Sequence, residues 1–122
     1  MNREMLMLVD AISREKTVER DVVFGAVEAA LASATKKLHG GEVDIRVAVD
    51  RDTGDYETFR RWLVVPDAAG LQNADAEEML SDALDRIPDI EEGDYIEEAI
   101  DSVPIGRIGA QAAKQVILQK IR

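Results

Sequence analysis

The chain has 122 residues, of which 46% are hydrophobic and none is cysteine, and its formal net charge is -10. This composition is typical of one soluble domain with a modest core. It excludes disulfides and cysteine-ligated zinc sites, which favours a reducing compartment. The acidic balance disfavours duplex DNA or an anionic membrane as a partner for the whole surface. Since the first residues also lack a signal-peptide pattern, we expect a cytoplasmic protein.

Two amphipathic helices are predicted at the start of the chain. A first, short helix is indicated by apolar residues at i, i+3, i+4 and i+7, which are Met5, Leu8, Val9 and Ile12. A longer helix follows, and His39-Gly40-Gly41 should end it because glycine adopts the left-handed cap conformation without penalty. The apolar face of this second helix comprises Val23, Ala26, Val27, Ala30, Leu31, Ala34 and Leu38.

A β-hairpin is predicted after the second helix. Apolar residues alternate with polar ones from Val43 to Val49, the period of a half-buried strand. Residues 50–55, DRDTGD, have the composition of a turn. Residues 56–65 predict the returning strand, and its apolar end, residues 62–65, is expected to be covered on both faces. Pro66 then ends the strand.

The segment from Asp67 to Asp101, here called the acidic limb, carries 13 acidic residues and one basic residue, Arg86. The rest of the chain has 12 acidic and 14 basic residues, so an acidic limb is attached to a nearly neutral body. Within the limb, residues 76–86 predict a short acidic helix capped by Asn73 or Asp75. The pattern of residues 94–103 fits a helix or a strand equally well.

A final helix is predicted from about Arg107 to the end of the chain. Its packing stripe comprises Gly109, Ala113, Val116 and Ile117, with Ala112 and Ile121 at the flanks. No glycine or proline follows Ile121, so the apolar pattern is interrupted and not terminated. We therefore expect the helix to lead into further domains that this sequence does not contain.

The motif Gly106-Arg107-Ile108-Gly109 leaves an alternative function open. Small residues at this spacing begin the backbone clamp with which KH domains hold single-stranded RNA. The motif is short, however, and a KH loop requires a helix before it, where this chain has Pro104.

No combination of residues indicates an enzyme. The only histidine, His39, has no second imidazole with which to form a metal or catalytic site. The sequence contains no serine-histidine-aspartate order, phosphate-binding loop or dinucleotide fingerprint. We therefore predict no catalytic residue, no cofactor and no metal site.

Three blocks of sequence together resemble the N-terminal domain of the NusA family of bacterial transcription elongation, termination and antitermination factors. They are ALASATKK at residues 30–37, DIRVAVDRDTGDYETFRRWLVV at residues 44–65, and the pattern of GDY, GRI and AKQVI within residues 93–120. The chain departs from the family at Ile105, where an aromatic residue is common, and at Gly109, where alanine is common. The match is poor over residues 66–92.

The resemblance implies an α+β fold. Its parts are two N-terminal helices, a small and mostly antiparallel sheet built on the hairpin plus a later strand at residues 94–103, a short acidic helix, and a long C-terminal linker helix. Residues 1–105 would form an RNA-polymerase-binding α/β domain. Residues 106–122 would begin a linker helix to RNA-binding domains that are absent here.

The resemblance implies that the domain binds core RNA polymerase near the β-subunit flap and the RNA exit channel, without catalysis. The C-terminal domain of the polymerase α-subunit would be a second possible contact. Such binding would enhance hairpin-dependent pausing and intrinsic termination. It would also take part in antitermination with other factors, which bind through the absent domains. We expect the domain to be monomeric and to contact no membrane.

Two sets of residues are candidate contacts under this hypothesis. The polymerase would meet apolar side chains that lie on or beside the stripes of the first two helices: Met5, Leu6, Val22 and Phe24. The nascent RNA hairpin would face basic side chains that surround the nearly neutral body: Lys36, Lys37, Arg61, Arg107 and Lys114.

Overall fold

The computed structural model describes the backbone of residues 1–108 and 110–121 and the side chains of residues 1–106 and 114–121. Helix α1 spans Arg3–Lys16, longer than predicted. It begins where the Asn2 side chain accepts the N–H of Met5 at 2.9 Å. Helix α2 spans Arg20–Leu38 and ends at the predicted glycines, because Gly41 N–H donates to the Lys36 carbonyl at 2.8 Å.

Strand β2, Tyr56–Val65, organises the sheet. Strand β1, Asp44–Val49, pairs with it as the predicted antiparallel hairpin. Strand β4, Tyr95–Ile100, pairs antiparallel with the opposite edge, so the ambiguous pattern there forms a strand, as the family resemblance implies. Strand β3, Glu77–Met79, pairs in parallel with the last residues of β2. It lies on the same edge of β2 as β1, beyond the point where the pairing with β1 stops at Asp44.

The predicted helix at residues 76–86 is wrong over its first part. These residues form β3, and helix α3 is confined to Leu80–Arg86. The open edge of β2 offers unpaired backbone groups, and Leu63 N–H donates to the Ala76 carbonyl at 2.8 Å. Neither Asn73 nor Asp75 caps α3, because this helix begins only at Leu80. The Asn73 side chain instead donates to the Glu42 carbonyl at 2.8 Å and accepts the N–H of Asp75 at 3.1 Å.

The main core lies between the sheet and the helices α1 and α2. The side chains that β1 directs toward the helices are buried there, which confirms the alternation predicted for that strand. Helix α4, Ile105–Ile108, and helix α5, Ala110–Lys120, follow β4. Ile105 and Ile117 are buried in the same core, with Val116 and Ile121 packed at its margin. Gly109, and the side chains of Ala112 and Ala113, lie outside the described residues.

A second, smaller cluster covers the other end of the same sheet face. Val64 and Ile96 of the sheet pack there against Ala83 of α3 and Ile90 of the following loop. Trp62 is only half-buried, so the expectation that the end of β2 is covered on both faces holds for Val64 alone. The acidic limb is therefore a folded part of the domain with its own apolar contacts.

Candidate functional site

Two of the four predicted polymerase-contact residues are core residues. Met5 is 0% exposed and Phe24 is 1% exposed, so neither side chain is available to a partner. Phe24 is enclosed because the guanidinium groups of Arg20 and Arg51 lie 5.6 and 5.1 Å from its ring centroid. The prediction of these two residues as surface contacts is wrong.

Leu6 and Val22 remain accessible. Val22 is 45% exposed at the start of α2, and Leu6 is half-buried against the main core and the hairpin turn. Met7, which the sequence analysis did not select, is 71% exposed on α1. Its only signal in the sequence was a large apolar side chain outside the apolar stripe of its helix. We call Leu6, Met7 and Val22 the helical face.

Ion pairs at the surface connect the two helices that carry this face to each other and to the hairpin turn. Arg20 Nε lies 2.9 Å from Asp10 Oδ1, which joins the first turn of α2 to α1 one turn beyond Met7. Arg51 of the hairpin turn donates to Glu28 Oε2 at 2.7 Å and to Asp21 Oδ1 at 3.1 Å. Both acids belong to α2. The exposed apolar side chains therefore project from two helices packed in the main core and not from loops.

Lys36 and Lys37 are exposed in the last turn of α2. Their charges stabilise the negative end of the helix dipole. Neither lysine forms an ion pair with another described side chain. Both ammonium groups are consequently available to an external anion.

Arg61 is more constrained than these lysines. Its guanidinium lies 4.1 Å from the centroid of the Tyr95 ring and 3.2 Å from Asp44 Oδ2. Asp44 and Tyr95 border the same shallow hollow as Lys36. The fold thus brings Arg61 and Lys36 to one region of the surface, but the charge of Arg61 is partly balanced.

Lys114 is also paired. Its ammonium lies 2.6 Å from Glu15 Oε2 at the end of α1. This hydrogen bond lowers the pKa of Glu15. The side chain of Arg107 lies outside the described residues, and its predicted role stays a prediction.

The structure gives no support to a KH clamp. Gly106 lies within helix α4 and not in a loop between two helices. A Cβ atom added at Gly106 would lie 2.8 Å from a carboxylate oxygen of Glu4, which shows how near this acid is. A negative charge at that position repels a nucleic-acid phosphate. Gly109 lies outside the described residues.

Within the described residues, no three His, Cys, Asp or Glu side chains are grouped so that they could bind a metal ion. Over the same part of the chain, no helix combines the length and the apolar character required to cross a membrane.

Comparison with known proteins identifies the family of this chain. The family model described as the NusA N-terminal domain matches residues 4–122. The chain is similar to the transcription termination/antitermination protein NusA of Rickettsia conorii (strain Malish 7), at 33% identity over 120 residues. The same protein of Rickettsia prowazekii (strain Madrid E) gives the same identity over the same length. Each alignment covers 98% of this chain but only 23% of the relative.

A solved structure agrees with the sequence comparison. The solution structure of the N-terminal domain of NusA from Bacillus subtilis superposes with a TM-score of 0.65 at 32% sequence identity. The match covers 100% of this chain and 96% of that chain. The α+β fold inferred from the sequence is therefore confirmed.

Proposed function

This chain belongs to the NusA N-terminal domain family, and from that premise we propose that it binds core RNA polymerase within a transcription termination and antitermination factor. It acts as a binding module in the cytoplasm, without catalysis. Its docking site is the β-subunit flap near the RNA exit channel, with the C-terminal domain of the polymerase α-subunit as a second possible contact. Once docked, it enhances hairpin-dependent pausing and intrinsic termination and takes part in antitermination.

The observation that carries the docking proposal is the helical face. Met7 and Val22 expose large apolar side chains on α1 and α2, two helices that are packed in the main core and linked by the Arg20–Asp10 ion pair. Apolar side chains exposed on helices are suited to an amphipathic partner helix, which lays its own apolar side against them. The curated relatives are named as transcription termination and antitermination proteins, so the polymerase is the partner that we assign to this face.

The basic residues supply the second half of the proposal. Lys36 and Lys37 are the strongest candidates for contact with an emerging RNA hairpin, because no described side chain pairs with either of them. Arg61 and Lys114 would contribute less, since an acid already lies beside each. Arg107 completes the proposed set. Loose attraction by exposed charges would stabilise a hairpin without requiring a particular RNA sequence.

A pull-down of core polymerase tests the docking. We expect Met7→Glu with Val22→Glu to weaken capture about tenfold or more, because both place a charge in an apolar contact. Leu38→Glu is the matched control, since Leu38 is also exposed, at 71%, but lies at the other end of α2. When the flap is deleted from the polymerase, the wild-type chain should lose its advantage, and it should capture the enzyme only as well as the double variant does. Equal capture by the double variant and the control would refute the assignment of this face.

A further inference from the structure

A groove of about 630 Å³ lies beside the second apolar cluster, away from the helical face. Its apolar lining consists of Trp62 of β2, Ile96 of β4, Met79 at the end of β3, and Leu71 and Ala74 of the loop before β3. Leu71 is exposed, and Trp62 is half-buried with the Arg60 guanidinium 4.6 Å from its ring centroid. A bulky apolar group can therefore contact Leu71 and the part of the Trp62 ring that borders the groove. The groove shares no residue with the helical face or with the proposed basic contacts.

The rim of this groove is acidic, and part of its charge is unmatched. Glu78 is paired with Arg86, and Glu97 accepts two hydrogen bonds from Arg46 at 2.6 and 3.0 Å. Asp82 and Glu98, in contrast, form no ion pair with any side chain that the structure describes. Both are exposed on the groove lining.

We propose that this groove is a docking site for a basic protein segment that carries a bulky apolar residue beside lysine or arginine. The apolar residue lies against Trp62 and Leu71, while the cations meet Asp82 and Glu98. The sign of the rim disfavours nucleic acid, because carboxylates repel phosphates. An apolar anchor surrounded by complementary charge is the arrangement that gives peptide recognition both affinity and specificity.

The chain provides its own reporter for the test. Trp62 is its single tryptophan, so the intrinsic fluorescence of the protein reports on the groove. The probe is a short, tryptophan-free peptide of lysine and leucine in amphipathic helical order. We expect a saturable change of tryptophan emission that weakens with added salt, because exposed charges are screened. Amide chemical shifts should change for residues 71–82 and 95–98.

Two double variants distinguish binding of the peptide in the groove from its nonspecific electrostatic attraction to the acidic limb. Asp82→Lys with Glu98→Lys should weaken binding of the peptide about tenfold or more, through two repulsive contacts. Asp89→Lys with Glu92→Lys makes the same change of charge at exposed positions outside the groove and should have a smaller effect. Circular dichroism checks that both variants keep the fold.

Four outcomes would overturn the proposal. The first is that the two double variants lose the same affinity for the peptide. The second and third are that a lysine-serine peptide, or a short single-stranded RNA, binds as well as the lysine-leucine peptide. The fourth is that neither the tryptophan emission nor the amide shifts show a saturable change. None of them bears on docking through the helical face, because the pull-down variants lie in other residues.

Discussion

The Tyr56 hydroxyl donates a hydrogen bond to the Val103 carbonyl at 2.6 Å and so joins β2 to the segment that leads into α4. The same hydroxyl accepts the N–H of Ile105 at 2.9 Å. One side chain therefore satisfies two backbone groups at the entry to the C-terminal helices, where Ile105 enters the core. Residues 101–104 belong to no helix or strand, and two side chains of β2 hold them: Tyr56 through these hydrogen bonds, and Thr58 through its hydroxyl, 2.7 Å from that of Ser102.

Tyr56→Phe should lower the free energy of unfolding by about 1–3 kcal/mol, because it leaves a carbonyl and an N–H without their partner in a partly buried site. Urea denaturation followed by circular dichroism measures this loss. Tyr95→Phe is the matched control, since no hydrogen bond of the Tyr95 hydroxyl occurs among the described contacts. A loss no greater than that of the control would show that the two hydrogen bonds do not anchor the segment.

Alkaline pH should weaken the same link. Burial raises the pKa of Tyr56, although the N–H of Ile105 opposes this effect. A raised pKa in the folded state means that the stabilisation is complete below the unfolded pKa of ~10 and is lost as the pH rises through the folded value. The free energy of unfolding of the wild-type chain should thus fall more steeply above about pH 10 than that of Tyr56→Phe. Identical slopes in the two proteins would contradict this linkage.

The elements with a strong period could be predicted from the sequence, because one buried face fixes the pattern of apolar residues. This holds for α2 and β1, whereas β2 was predicted from its place between the turn and Pro66. Strand β3 could not be predicted, since it has three residues and is held by backbone pairing with a strand distant in sequence. Its side chains, Glu77, Glu78 and Met79, favour a helix when considered alone.

The contact residues were harder to predict than the fold. Phe24 lies next to Val23 in sequence, yet both are buried, because α2 is enclosed on more than one side where Arg20 and Arg51 cover the ring. Leu38 follows the apolar stripe but is 71% exposed at the last residue of the helix. Periodicity gives the direction of a side chain and not the presence of a neighbour on that side.

The hairpin turn contains a position that requires glycine. Gly54 has φ of +77°, and an added Cβ would lie 2.6 Å from the Asn2 carbonyl oxygen and 3.0 Å from Leu6 Cγ. Gly54→Ala should therefore displace the start of α1 and destabilise the fold. Gly70→Ala is the control, because Gly70 has a similar φ of +68° but no atom within 4 Å of the added Cβ.

We expect Gly54→Ala to cost about 1–3 kcal/mol more than Gly70→Ala in urea denaturation, the range for an overpacked contact. The strain of a positive φ is common to both variants, so the difference isolates the contact with α1. Equal losses of unfolding free energy in the two variants would show that α1 shifts to accommodate the added methyl group without destabilising the fold.

Neutralising Glu15 should strengthen the proposed contact with RNA. Glu15 lies 2.6 Å from the Lys114 ammonium and partly balances its charge. In Glu15→Gln the Lys114 ammonium would no longer be balanced by a carboxylate and could pair with an RNA phosphate. We expect hairpin-pause enhancement to increase about twofold, because exposed ion pairs have small energies. Lys114→Glu should reduce it. Glu92→Gln, which removes an exposed acid of the limb, controls for the change in net charge.

The comparison of Glu15→Gln with Glu92→Gln distinguishes a local effect from a general one. If Lys114 faces the hairpin, only the first variant gains, and the gain disappears when Lys114→Ala is added. If both variants gain equally, pausing responds to net charge alone and Lys114 has no particular role. In vitro transcription over a hairpin pause site, with polymerase occupancy held equal by titration, measures the difference without interference from altered docking.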